Sequence, residues 1–172
     1  MQNKSRQKER CETMITQRRF GLLVANGALV MLAGFAIGFP YGVSVLHARA
    51  GAAATGPLGD TRAWHMAHLE GVLNGMLILA GAAAARTLPL GTRGASIVFW
   101  GFVAAGWTNV VASTISALTG GRGTHVTGFD WNTFDYALFM AGIVGAVAAA
   151  VALAGAGLRA ARDMRLEPPP KS

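Results

Sequence analysis

His65, His68, Glu70 and Asn74 fall within one otherwise apolar stretch, Trp64-His65-Met66-Ala67-His68-Leu69-Glu70-Gly71-Val72-Leu73-Asn74-Gly75-Met76. An imidazole can ligate a metal or carry a proton, a carboxyl can act as acid or base, and an amide both donates and accepts. On a helix, His68, Gly71 and Gly75 stand at i, i+3 and i+7 and share one face. That face admits two readings. A histidine above a side-chain-free glycine strip can hold a planar macrocycle against the backbone. The same G-x-x-x-G is also a helix-contact motif, here capped by a hydrogen-bonded histidine. His65 is turned by about 60° from His68 and sits nearer the helix end, which suits a solvated or lipid-facing interfacial side chain. Glu70 lies about 200° from His68 and so does not point at the same partner. It is either neutral through a raised pKa or paired with His65 or Arg62 near the interface, and a proton-handling role is the functional alternative. Asn74 needs hydrogen-bond partners whether it orients a substrate or joins two helices.

A second polar set follows in Gly106-Trp107-Thr108-Asn109, Ser113, Thr114 and Ser116. Asn109 can bond across to the first set, and the hydroxyls can bond back to their own helix. Trp107 is too deep for an interfacial belt and is expected to pack inside. The segment 119–135 carries Arg122, His125, Asp130, Trp131 and Asp135 among glycines. It reads either as a solvated turn or as a lid over an outward-facing site, with Trp131 as an interfacial anchor. Several familiar chemistries are excluded. The sole cysteine, Cys11, rules out an intramolecular disulfide, a cysteine zinc cage and a cysteine-held iron–sulfur cluster. No phosphate-binding G-x-x-x-x-G-K-[ST], no H-E-x-x-H and no G-x-S-x-G is present. His65-x-x-His68 without a third ligand is a weak zinc signal.

The elements that must position these side chains are membrane helices. Of the 172 residues 52% are hydrophobic and only 13% charged, too few charges for the surface of a soluble domain. Four apolar segments, about 20–46, 64–88, 95–118 and 134–158, are each long enough to cross the hydrocarbon core. Pro40 is expected to kink or end the first. Short connections make neighbours antiparallel, so the expected fold is all-α, an integral membrane four-helix bundle over 20–158. A basic segment, 1–19, precedes it and a basic, proline-rich tail, 159–172, follows. Asp60 or Thr61 is positioned to cap the second helix. Ala48-Arg49-Ala50 resembles a signal-peptide cleavage site, but the preceding apolar run is too long, and a retained first helix is expected. Twelve of the 15 basic residues lie on one side and three, Arg49, Arg62 and Arg122, on the other. The positive-inside rule then puts both termini in the cytoplasm, with the bundle in the inner membrane. The net charge of +7 is therefore a topology signal and an attraction to anionic lipid rather than a mark of nucleic-acid binding.

Taken together, His68-x-x-Gly71-x-Leu73-Asn74-Gly75-Met76, Gly106-Trp107-x-Asn109, Arg122-Gly123 and Phe134-Asp135 resemble the styrene oxide isomerase family, over roughly 20–158. The resemblance implies a homotrimer of four-helix subunits with haem b at the subunit boundary. It implies His68 as the iron ligand and Asn74 as the asparagine beside the haem. Gly71, Gly75 and Trp107 complete the implied cofactor site, and Asn109 and Ser113 join Asn74 as implied catalytic positions. Ferric iron there acts as a Lewis acid toward the oxygen of a small lipophilic epoxide, and a 1,2-shift yields the aldehyde with no net redox change. A dry pocket keeps water from trapping the opening ring as a diol. The chain departs from the family pattern at Ala105, where an acidic residue precedes G-W-x-N, and at Ser113, where a tyrosine follows the tryptophan by six. It also carries Glu70 where relatives have glycine. The missing phenol could come only from Tyr41 or Tyr136. Two other functions stay open: a membrane haem protein for electron transfer or ligand sensing, with His47, His65 or His125 as second ligand, and a haem-free helical subunit.

Overall fold

In a computed structural model of the chain, backbone is described for residues 2–51, 55–56 and 59–166, and side chains for 17–51 and 59–162. Four helices make up the fold: α1 (Gln2–Arg49), α2 (Thr61–Thr87), α3 (Gly91–Thr119) and α4 (Trp131–Leu166). Within them, the segments Gln17–Arg49, Thr61–Thr87, Gly91–Thr119 and Trp131–Arg162 are long and apolar enough to cross a membrane, with mean hydropathies of 2.1, 1.3, 1.5 and 2.4. α1, α3 and α4 run beyond their expected apolar limits at both ends, whereas α2 starts three residues early and stops at Thr87, one short of its limit. Hydropathy marks the hydrocarbon layer, whereas backbone hydrogen bonds continue until a cap or a turn competes for them. Of the kink or end expected at Pro40, the end does not occur: α1 continues to Arg49. Proline there removes one amide donor, and the remaining turns hold the helix.

Local chemistry sets the ends. Asp60 caps α2 by accepting from the Arg62 amide at 3.0 Å. α3 stops at Gly120, whose φ of +74° is left-handed and costs glycine little. Between α1 and α2, strands β1 (Thr55–Gly56) and β2 (Gly59–Asp60) form a two-rung antiparallel ladder pairing Thr55 with Asp60 and Gly56 with Gly59. A Cβ on Gly59 would come within 2.5 Å of the Ala117 carbonyl, so this ladder packs tightly on the end of α3.

α1 packs chiefly on α2 and α3 on α4, and the α2–α3 seam joins the two hairpins. Both hairpins close on glycine. Gly34 of α1 meets Gly71 of α2, and Gly101 of α3 meets Gly145 of α4, each too close for a side chain. In lipid no hydrophobic force drives helices together, so such close approach and the dispersion it gains are what hold them. The core between the hairpins contains Val30, Ile78, Val98, Phe102 and Ala149. Outward positions are apolar too: Leu32, Phe35, Phe39, Val144 and Val151 are all exposed, the pattern of a lipid-facing surface.

Candidate functional site

The polar residues of α2 divide between two neighbours, as the 200° between His68 and Glu70 requires. His68 turns toward α1. Its Nδ1–H donates to the Gly34 carbonyl at 2.8 Å. A carbonyl cannot donate, so Nδ1 carries the proton in this contact, and in the neutral imidazole it is Nε2 that keeps the lone pair through which the ring can ligate a metal. Gly38, one turn further along α1, makes room for the ring, since a Cβ there would lie 3.1 Å from Nδ1 and 3.3 Å from Cε1. Tyr41 completes the pocket. Its ring is near-parallel to His65, with centroids 4.8 Å apart, and to His68, with centroids 6.1 Å apart. His65 is therefore half-buried against Tyr41, not lipid-facing or solvated as its position suggested.

Gly71 and Gly75 are buried against α1. A Cβ on Gly71 would meet Gly34, and one on Gly75 would lie 2.6 Å from the Met31 Cβ and 2.8 Å from the Gly27 carbonyl. Of the two readings of this strip, helix contact is the one seen within the subunit: α1 fills it. Trp107 also faces α1, with Nε1 donating to Asn26 Oδ1 at 3.0 Å.

The other polar group bridges α2 and α3. Asn74 donates to the Glu70 carbonyl at 2.9 Å and accepts from Asn109 Nδ2 at 3.4 Å. Ser113, buried, bonds back to the Asn109 carbonyl at 2.7 Å and neighbours the Glu70 carboxyl. Glu70 thus turns to Ser113 rather than to His65 or Arg62. Glu70 Oε2 and Asn109 Oδ1 are buried without a protein partner. Asn109 Oδ1 points at Gly142 of α4, where a Cβ would be 2.5 Å away. Asn74, Asn109 and Ser113 thus come together as one seam, which also holds Glu70; His68 stands outside it, on the α1 side.

Above the seam, residues 120–130 are tied down rather than loose. Asn132 accepts from the Arg122 and Gly123 amides at 3.1 and 2.9 Å, and donates to the His125 carbonyl at 2.8 Å. Thr133 accepts from the Thr127 amide, and Asp130 from the Thr133 amide and the Thr127 hydroxyl. The Thr127 hydroxyl, then the Thr133 amide, hold the Asp130 carboxyl below its usual range. Beneath this loop Asp135, fully buried, accepts from Ser116 at 2.8 Å, and its Oδ1 has no partner. Spacing gave Asp135 no weight as a site residue, because only the folded-back loop brings it under cover. Trp131, an anticipated anchor, is exposed. Among the described residues no three or more His, Cys, Asp or Glu side chains gather to hold a metal ion.

Fold and site define a polytopic helical membrane protein with a histidine, His68, bound through Nδ1 to the backbone of the neighbouring helix, and a polar inter-helix seam. The family model for styrene oxide isomerase matches residues 19–158, and the chain belongs to that family. No curated protein and no solved structure matches the chain.

Proposed function

We propose that this protein is a haem b-dependent membrane isomerase that converts a lipophilic, aryl-type epoxide to an aldehyde or ketone. Family membership carries the reaction class. The observation that carries the cofactor is His68, whose Nδ1–H is engaged by Gly34 and whose Nε2 is left as a neutral donor to iron. Ferric haem, when bound, supplies the Lewis acidity that promotes epoxide opening. The chain's own part is positional. Gly34 orients the imidazole and raises its basicity, and Gly38 leaves it room. Tyr41 brings the phenol that Ser113 does not, and it is the side chain to orient a substrate beside His68. Apolar helices keep water away, which protects an opening ring from hydrolysis. The isomerisation conserves atoms and electrons: one C–O bond breaks, a hydrogen or carbon group migrates with its bonding pair, and a C=O bond forms. It requires no proton from Glu70, Asn74, Asn109 or Ser113. That seam is therefore read as a support that sets the α2–α3 spacing.

The proposal extends, by family resemblance, to a homotrimer in the inner membrane; the basic residues gathered on one side support cytoplasmic termini. The test is the visible spectrum of detergent-purified protein expressed with added haem, wild type beside His68→Ala, followed by styrene oxide turnover. A Soret band lost in the variant, with phenylacetaldehyde formed only by the wild type, is the expected result. A folded, colourless and inactive wild type would sink it.

A further inference from the structure

At the end of the bundle where α1 enters the apolar span, α2 ends and α3 begins, a cavity of about 680 Å³ lies away from the His68 pocket. Two arginines line it together with Phe20, Leu23, Val98 and Phe99, and among the described residues no carboxylate does. Both guanidiniums are held in place. Arg19 Nη1 donates to Ser96 Oγ at 2.7 Å, and Arg86 sits 4.9 Å over the Phe20 ring. An arginine positioned by a hydroxyl and another by a ring face give up little rotamer freedom when they bind an anion. Two positive charges lining one cavity repel each other, and an anion bound between them relieves that repulsion. The first turn of α3, which has no side-chain cap, adds amides at the same end.

We propose that this cavity is a binding site for one anionic phospholipid, its phosphate between Arg19 and Arg86 and the start of an acyl chain along Phe20, Leu23, Val98 and Phe99. Two features favour a lipid over a free phosphate. The wall beside the arginines is apolar, which a small hydrated anion does not use. The cavity also lies where three membrane spans terminate, at headgroup depth. A second cavity of about 290 Å³ shares Arg19 and Phe99 with the first and includes Trp100, which supplies a reporter at the site.

The experiment needs neither haem nor turnover, so its outcome is independent of the reading of His68. Full-length protein in detergent is titrated with phosphatidylglycerol carrying a dibrominated acyl chain, and with the phosphatidylcholine equivalent. Tryptophan quenching is followed, and Trp100→Phe identifies the reporter's share. At about fivefold per arginine, half-quenching by phosphatidylglycerol falls at a roughly 25-fold lower concentration than by phosphatidylcholine. Arg19→Gln with Arg86→Gln brings the two lipids together. Ala95→Phe, which fills the cavity and keeps both arginines, weakens phosphatidylglycerol binding likewise. If the double variant does not fold, the wild-type preference and Ala95→Phe decide. Equal quenching by both lipids in the wild type overturns the site, as does a preference that survives either variant. Removal of the preference by millimolar inorganic phosphate shows an anion site without lipid specificity and overturns it too.

Discussion

The His68 ring is bound to the Gly34 carbonyl at 2.8 Å, so one histidine on α2 is oriented by the backbone of α1. The partner is a main-chain oxygen at the point where two helices touch. The tautomer of His68 is therefore tied to the packing of the α1–α2 hairpin, not to another side chain.

Gly38→Ala tests that link with little harm to the fold. Its methyl would stand 3.1 Å from Nδ1, close enough to displace the ring by a few tenths of an ångström. Haem affinity is expected to fall about tenfold, the scale of supporting-contact losses at metal sites, with helicity unchanged. Haem titration of the apoprotein with circular dichroism on the same samples measures both. An unchanged affinity would show that the imidazole position does not matter.

The α2–α3 seam predicts a stability effect rather than a catalytic one. Asn109→Ala removes the donor to Asn74 Oδ1 and also an amide oxygen that is buried without a partner, so gain and loss partly offset. The net cost is expected to stay near 0.5 kcal/mol. Asn74→Ala strands the Asn109 amide as well and is expected to cost about 1–2 kcal/mol. Thermal unfolding in detergent ranks the pair. Turnover that falls a hundredfold in either folded variant would make the seam part of the chemistry.

Ser116→Ala leaves Asp135 buried with neither carboxyl oxygen paired by a side chain. A loss of about 1–3 kcal/mol is expected, because the stranded group keeps its desolvation cost. Ser113→Ala removes bonds to its own helix and also the neighbour of the Glu70 carboxyl across the seam, and is expected to cost a similar amount. A Ser113→Ala midpoint equal to that of the wild type would show that this hydroxyl serves its own helix alone.

Much of the bundle was legible in the sequence, since apolar length alone marks spans that must satisfy their own backbone. Asp60 as a cap and Asn109 reaching Asn74 were legible for the same reason: cap chemistry and mid-membrane amides have few outlets. Which neighbour fills a glycine strip was not. Helical periodicity says that Gly71 and Gly75 share a face with His68, but not whether that face meets a helix or a ligand. Nor could it show that α1 runs through Pro40 far enough to lay Tyr41 beside two histidines.

Loop order responds to acid through Asp130. Its folded-state pKa is depressed by the Thr127 hydroxyl and the Thr133 amide, so its contribution is present above the unfolded value of about 4 and is lost as pH falls through the lower folded value. Protection of the peptide spanning 120–133, taken as hydrogen exchange relative to the intrinsic rate at each pH, is expected to fall once pH drops below about 4. The fall should vanish in Asp130→Asn, whose loop is already looser at neutral pH. A flat profile would count against the network.

Only residues 88–90 connect α2 to α3, and each flanking hairpin is closed by its own glycine pair. The molecule is thus two half-proteins on one string. Each half can enter the bilayer as a unit during synthesis, and assembly is the later meeting of two finished pieces along the Asn74–Asn109 seam. A gene cut between Leu88 and Leu90 should accordingly yield two polypeptides that find each other in the membrane and rebuild the same bundle.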